Sequence, residues 1–396
     1  METFDYQLLD TLINRVFVIE DITLGTDEAN YLVRYRGHLR SDSETAYDQL
    51  TDWLKPYHLT PLFRWDAEQH AILLIPNLPQ SKPSNPNINL ILGILTLISV
   101  LYTGAVYNLQ GQPLPSDFGE AIVTIISNGW PFAASILAIL GAHEFGHYLV
   151  GRYHGAKVTL PYFIPFPSAF GTLGAFINMK EPPKNRKVLL DIGVAGPLAG
   201  LIVAIPILLL GLSLSTLNPI QVNPGQAVQL EGNSIIYLLS KLVVFGQLLP
   251  APVSYDGVQP IFYWLQYFFT STPLPRGGLD VSINSVAWAG WAGLLVTAMN
   301  LIPAGQLDGG HMLYVLFGRK RAQRIFPFVL GTLIVLTYFW LGWLLWAGII
   351  FFLGRSYAEP LDEITPLDNR RKALAILALI VFLLTFSPVP LTIIAG

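Results

Sequence analysis

Residues 130–152 read WPFAASILAILGAHEFGHYLVGR, and this stretch decides what kind of protein the chain encodes. It is uncharged from Trp130 to Ala142. Its length matches the roughly 20 residues that a helix needs to cross a bilayer core of about 30 Å. Near its end stands His143-Glu144-Phe145-Gly146-His147. On a helix these histidines fall at i and i+4 of one face, where both imidazoles can bind one zinc ion, with Glu144 beside them as a base. Composition alone gives about 0.003 accidental matches to His-Glu-x-x-His in such a chain. The alternative is a polar helix end snorkelling to the interface. Ionisable groups on an apolar span are costly unless paired or metal-bound, which favours the metal.

The rest of the chain fits that environment. Of 396 residues 52% are hydrophobic and 12% charged, about half the usual charged fraction. The composition predicts a polytopic α-helical membrane protein. Spans are expected at about 88–107, 130–152, 188–213, 282–302 and 373–392. A further apolar run, 325–354, lies between Arg319, Lys320, Arg321 and Arg324 on one side and Arg355 on the other. Basic residues at both ends favour a hairpin, giving six or seven spans. With no Cys, disulfides, iron-sulfur clusters and thiolate zinc sites are excluded, so a metal must be held by His, Asp or Glu. A net charge of −3 gives no reason to expect nucleic acid.

Residues 1–87 hold 13 of the 26 acids and 7 of the 23 bases. The expected organisation is a soluble acidic α+β domain over 1–80, a linker at 81–87 (SKPSNPN) and a membrane domain over 88–396. In the first segment Tyr31–Leu39 alternates like a strand, and Ser41 with Glu44 predicts a capping box opening a helix. Strand-like runs Leu59–Trp65 and Ala71–Ile75 follow, a β-α-β-β order. His38, His58 and His70 lack ligand spacing, and the start Met-Glu-Thr-Phe-Asp is unlike a signal or transit peptide. Asn108–Gly129 has no Lys or Arg, whereas Arg152, Lys157, Lys180, Lys184, Arg186 and Lys187 flank the next connection. That asymmetry predicts a cytoplasmic N-terminal domain and a cytoplasmic 152–187 segment.

Two histidines leave a catalytic zinc one ligand short. Asp308, in the run Asn300-Leu301-Ile302-Pro303-Ala304-Gly305-Gln306-Leu307-Asp308-Gly309-Gly310-His311, is the candidate third ligand. Pro303 and Gly305 should break the helix there, and broken backbone at membrane depth belongs where it lines a cavity. The alternative for Asp308 is a cap on the helix running to Gly318. His311 is a candidate partner of a ligand and stays outside the ligand set. Val158–Met179, rich in Pro, Phe and Gly, reads as extended segments around Gly171-Thr172-Leu173-Gly174. They are either a strand edge on which an unwound substrate pairs or a hairpin packed on the metal helix. Gly196-Pro197-Leu198-Ala199-Gly200 reads as a helix-packing face, Asp191 as a cap, a ligand's partner or a catalytic group, and Tyr338–Trp346 as membrane anchors or core. Leu214–Asp280 stays open between an extramembrane loop, an interfacial helix and a gate.

The HEFGH helix together with AGWAGLLVTAMNLIPAGQLDGGH resembles the site-2 protease family of intramembrane zinc metalloproteases. FGTLGAFINMK, AGPLAG and PLDEITPLDNRRK are similar to its cyanobacterial and chloroplast branch, the ethylene-dependent gravitropism-deficient and yellow-green type. The likeness spans about residues 130–390. It implies His143, His147 and Asp308 as ligands of one Zn²⁺, Glu144 as general base, and Asn300 as the group that positions the substrate backbone. It also implies a membrane-associated hairpin, transmembrane protein substrates within a lipid bilayer, and a prokaryotic, cyanobacterial plasma or thylakoid membrane. Two other function classes stay open, a catalytically silent scaffold or chaperone of the same fold and a metal transporter.

Overall fold

The computed structural model describes residues 6–26, 30–76, 84–220, 227–272 and 278–395. The expected start 1–5 and part of the expected linker, residues 81–83, lie outside them.

The N-terminal part comprises α1 (Tyr6–Val16), β1 (Phe17–Leu24), β2 (Val33–Leu39), α2 (Ser43–Leu54), β3 (Leu59–Asp66) and β4 (Gln69–Pro76). Its antiparallel sheet has the order β1-β2-β4-β3. Leu9, Leu12, Ile13 and Val16 form the buried stripe of α1, and Ala46, Tyr47, Leu50 and Leu54 that of α2. The sequence reading missed α1 and β1. In β1 the Glu20-Asp21 pair and a register shift between Ile19 and Asp21 interrupt the alternation that marks a half-buried strand. The α2 cap is Asp42, which accepts from the Thr45 amide at 2.9 Å, one residue later than the expected Ser41. Glu44 does not fold back on the cap, because it accepts from Lys187 at 2.6 Å and Asn185 at 3.2 Å.

The β3 edge of this sheet is covered. The Phe63 amide of β3 donates to the Leu361 carbonyl at 2.9 Å, and the Glu363 amide donates to Phe63 at 3.0 Å. On the other side of this strap, Leu361 and Asp362 donate to the carbonyls of Pro183 and Lys184 at 2.9 and 2.8 Å. Exposed sheet edges invite unwanted pairing, and here the chain's own later segment supplies the cover. Ile364 joins the small domain's core.

The remainder runs α3 (Pro86–Leu109), α4 (Phe118–Tyr153), β5 (Tyr162–Pro165), β6 (Thr172–Phe176), α5 (Arg186–Ser213), β7 (Thr216–Pro219), β8 (Ala227–Glu231), α6 (Ile235–Phe245), α7 (Pro260–Thr270), β9 (Leu279–Ser282), α8 (Ser285–Asn300), α9 (Asp308–Phe317), α10 (Arg319–Leu336), α11 (Gly342–Leu353), α12 (Asn369–Thr385) and β10 (Leu391–Ala395). This is a polytopic helical region. Among the described residues α3, α4 and α5 are long and apolar enough to cross a membrane, and Ile235–Phe245 and Gly342–Phe352 are shorter apolar helices.

Several boundaries differ from the sequence reading. The expected loop 108–129 is helical from Phe118, where Asp117 accepts from the Glu120 amide. The 36 residues of α4 extend for about 54 Å, well beyond a bilayer core. The expected span 373–392 stops at Thr385, because Pro388 and Pro390 cannot continue a helix, and the chain turns into β10 against β8. The run 325–354 forms two helices, but α11 with 12 residues reaches only about 18 Å. The 16-residue α8, expected as 282–302, is buried along most of its length by α5 and α4. Its neighbours approach closely: a Cβ on Gly290 would lie 2.6 Å from the Leu208 backbone. Within 214–280, β7 pairs with β9 beside α6 and α7.

Candidate metal centre

The buried face of α4 presents His143, Glu144 and His147 to α5, α8 and α9. Fractional exposure is 3% for His143, 4% for Glu144 and 6% for His147. The helical spacing puts the two imidazoles together, with Nε2 atoms 3.2 Å apart. The His147 Nδ1 donates to the Ile192 carbonyl of α5 at 2.7 Å. A carbonyl can only accept, so that bond places the proton on Nδ1 and leaves the Nε2 lone pair directed into the cluster.

The opposing oxygen comes from a broken helix. α8 ends at Asn300, residues 301–307 turn through Pro303 and Gly305, and α9 starts at Asp308. Asp308 Oδ2 lies 3.5 Å from His143 Nε2 and 3.4 Å from His147 Nε2. Close packing holds the break in place: a Cβ on Gly309 would lie 2.0 Å from the Leu301 carbonyl oxygen and one on Gly310 2.3 Å from that of Gly305.

The three donors fit a zinc ion in type and spacing. Four-coordinate zinc with bonds of about 2.0–2.2 Å sets its ligand atoms about 3.3–3.6 Å apart, and the triangle here has edges of 3.2, 3.4 and 3.5 Å. Glu144 Oε1 is 4.0 Å from His143 Nε2, adjacent to that triangle. Asn300 Nδ2 is 3.3 Å from His143 Nε2. All five residues line one cavity of about 410 Å³.

The structure brings together His143, Glu144, His147, Asp308 and Asn300. It does not put Gly171–Gly174 there. β5 and β6 pair antiparallel, and Gly171 lies against α3, where a Cβ would be 2.8 Å from Val100 and Thr103. Thr172 is buried and donates to the Ile164 carbonyl at 2.8 Å, while Leu173 is 63% exposed. The part of this segment that lines the metal cavity is Ala175–Met179, beyond the expected residues. His311 also lines the cavity, with its buried Nδ1 lacking a hydrogen-bond partner among the described residues. Asp191 pairs with His154 at 3.0 Å and Arg371 at 2.6 Å, tying the end of α4 to α5 and α12 away from the donors.

Sequence reasoning undervalued the Gly196–Gly200 motif. It is a packing face, and what it packs against is the donor pair: a Cβ on Gly196 would lie 2.1 Å from His147 Nε2, and one on Gly200 3.2 Å from His143 Cβ. The spacing of four residues matches that of the histidines, a signal legible only if the two helices are known to be neighbours.

The model of peptidase family M50 matches residues 131–341, which include every donor and Asn300. The chain belongs to peptidase family M50. Relatives in this M50 branch include a protein described as probable zinc metalloprotease EGY2, chloroplastic, from Oryza sativa subsp. indica. It is 28% identical over 397 residues, covering 96% of this chain and 66% of the relative. The probable zinc metalloprotease EGY1, chloroplastic, from Arabidopsis thaliana is 30% identical, covering 69% of this chain and 45% of its own length. A probable zinc metalloprotease EGY3, chloroplastic, from Oryza sativa subsp. japonica is 28% identical, covering 68% and 44%. The M50 chain thus spans between 44 and 66% of these relatives. No solved structure matches it.

Proposed function

We propose that this chain is an intramembrane zinc metalloprotease that hydrolyses peptide bonds within or near transmembrane segments of membrane proteins. The observation that carries the reading is the triangle of two imidazole nitrogens and one carboxylate oxygen with edges of 3.2–3.5 Å, built on a helix long enough to span a membrane and flanked by a second carboxylate, that of Glu144, outside the triangle. His143, His147 and Asp308 hold one Zn²⁺. The metal supplies Lewis acidity toward the scissile carbonyl and lowers the pKa of water.

The remaining duties fall to the chain. Glu144, next to the donors and not among them, takes the proton of the attacking water and delivers it to the leaving amine nitrogen. Asn300, at the end of α8, donates to the substrate backbone and holds the peptide over the donors. A transmembrane helix must unwind to be cut, and the β5–β6 hairpin, including Gly171–Gly174, offers an extended edge leading into the cavity through Ala175–Met179. In this reading the hairpin is membrane-associated, α8, α10–α11 and α12 bring the spans to six or seven, and the N-terminal domain is cytoplasmic. A cyanobacterial plasma or thylakoid membrane fits the chloroplast-type relatives.

The test is cleavage of single-span substrates by purified protein, before and after chelation and after zinc is restored. Cleavage that stops with chelation and returns with zinc supports the proposal. Zinc binding without any product points to a silent scaffold, and metal flux without product to a transporter.

A further inference from the structure

Away from the metal centre, a cleft of about 870 Å³ opens between the N-terminal sheet and the first turn of α10. Six cationic side chains line it. Arg34 and Arg64 come from the sheet, Arg186 from the start of α5, and Arg319, Lys320 and Arg321 from the start of α10. Three carboxylates, Asp66, Glu359 and Glu363, line it as well.

Those carboxylates are already committed. Asp66 pairs with Arg34 at 3.5 Å, Glu359 pairs with Arg319, and Glu359 and Glu363 lie 3.9 and 3.8 Å from Arg64. Arg186 donates to a neutral group, the Val315 carbonyl. Lys320 and Arg321 are exposed and enter no ion pair among the described residues. The Nε of Arg34 is buried and has no hydrogen-bond acceptor among the described residues. The cleft therefore carries three cations in excess of its carboxylates.

The positive-inside rule accounts for basic residues at the head of a membrane helix. It does not account for Arg34 and Arg64 on the sheet-side wall, where Arg64 donates to the Pro360 and Leu361 carbonyls and Arg34 to Thr23 Oγ1, both adding positive charge to the cleft. Trp65, 54% exposed, stands at the same wall. The exposed Arg321 guanidinium and Lys320 ammonium, beside a wall that Arg34, Arg64 and Arg186 keep positive, match a phosphate group, whose oxygens accept several charge-assisted hydrogen bonds at once.

We propose that this cleft binds a phosphate-bearing anion, carried by a lipid headgroup or by a soluble phosphate ester. A phosphate held there ties the N-terminal sheet to α10, and α9, which leads into α10, begins with Asp308.

The test uses the full zinc-loaded chain in phosphatidylcholine nanodiscs, titrated with glycerol 3-phosphate. In a parallel arm, protein from phosphatidylglycerol nanodiscs is examined by native mass spectrometry for retained lipid. The comparison is Lys320→Gln/Arg321→Gln, two exposed positions, with zinc content as the check on folding. Saturable glycerol 3-phosphate binding that weakens about tenfold or more in the double variant supports a soluble ligand. Lipid retention lost in that variant, without glycerol 3-phosphate binding, supports the headgroup. Binding of neither probe, or binding the variant leaves unchanged, overturns the proposal. Glu144→Gln should leave both arms unaltered, so this result stands or falls independently of the proteolytic reading.

Discussion

Gly196→Ala is expected to empty the metal centre without touching a ligand. A Cβ at this position lies 2.1 Å from His147 Nε2, 2.4 Å from Cδ2 and 2.5 Å from Cε1. An ordinary contact needs about 3.4 Å, so the ring must retreat by about 1.3 Å, whereas a metal bond tolerates about 0.2 Å. The ring cannot swing freely, because its Nδ1 is fixed on the Ile192 carbonyl four residues before the glycine on the same helix. The predicted outcome is loss of most bound zinc and of cleavage, with helix content retained. Gly141→Ala is the control: it lies on the same helix as the histidines, and among the described residues a Cβ there meets nothing within 4 Å. Zinc is read by atomic absorption on purified protein. Full zinc and full cleavage in Gly196→Ala would refute the claim that α5 packs directly on the ligand rings.

Further outcomes follow from the junction of the two parts. Asp362, fully buried, accepts from the Ile364 and Thr365 amides and the Thr365 hydroxyl. Asp362→Ala strands these donors, which should cost about 1–3 kcal/mol and speed proteolysis at the strap; an unchanged urea midpoint and cutting rate would count against it. Lys187 beside Glu44 holds that carboxyl below its usual range of about 4.5. A depressed carboxyl contributes stability above the unfolded pKa and loses it as pH falls through the folded one. Docking of the N-terminal domain should therefore loosen at acid pH, and Glu44→Gln should weaken it at neutral pH and flatten its acid dependence. The native chain has no Cys, so Lys184→Cys should react with impermeant maleimide only from the cytoplasmic side; labelling from the outer side alone would invert the topology.

The metal centre was the most legible part of the sequence. His143, Glu144 and His147 announce themselves because helix periodicity makes i and i+4 neighbours without tertiary information. Asp308 was readable for another reason: an acid after Pro303 and Gly305 in an apolar region needs a purpose. What the sequence hid depends on long-range contacts. The short β5–β6 hairpin has no clear alternation, so the residues entering the cavity, Ala175–Met179, could not be told from Gly171–Gly174. The strap at Leu361–Glu363 pairs with Phe63 almost three hundred positions away in number, and no local pattern marks it. Helix ends at Phe118 and Thr385 were misplaced because hydropathy registers apolar length, whereas Asp117 and the Pro388-Val389-Pro390 run set the breaks.

The central claim is that Glu144 moves a proton while Asp308 holds metal, and paired measurements on two variants test it most directly. Zinc per chain and cleavage rate are measured together in Glu144→Gln and Asp308→Ala. Glu144→Gln preserves the three donors and should keep about one zinc, while cleavage falls by the roughly 10² to 10⁴ that a general base supplies. Asp308→Ala removes one corner of the triangle and should lose both zinc and cleavage. Sustained cleavage in Glu144→Gln, or full zinc in Asp308→Ala, would contradict the assignment of roles.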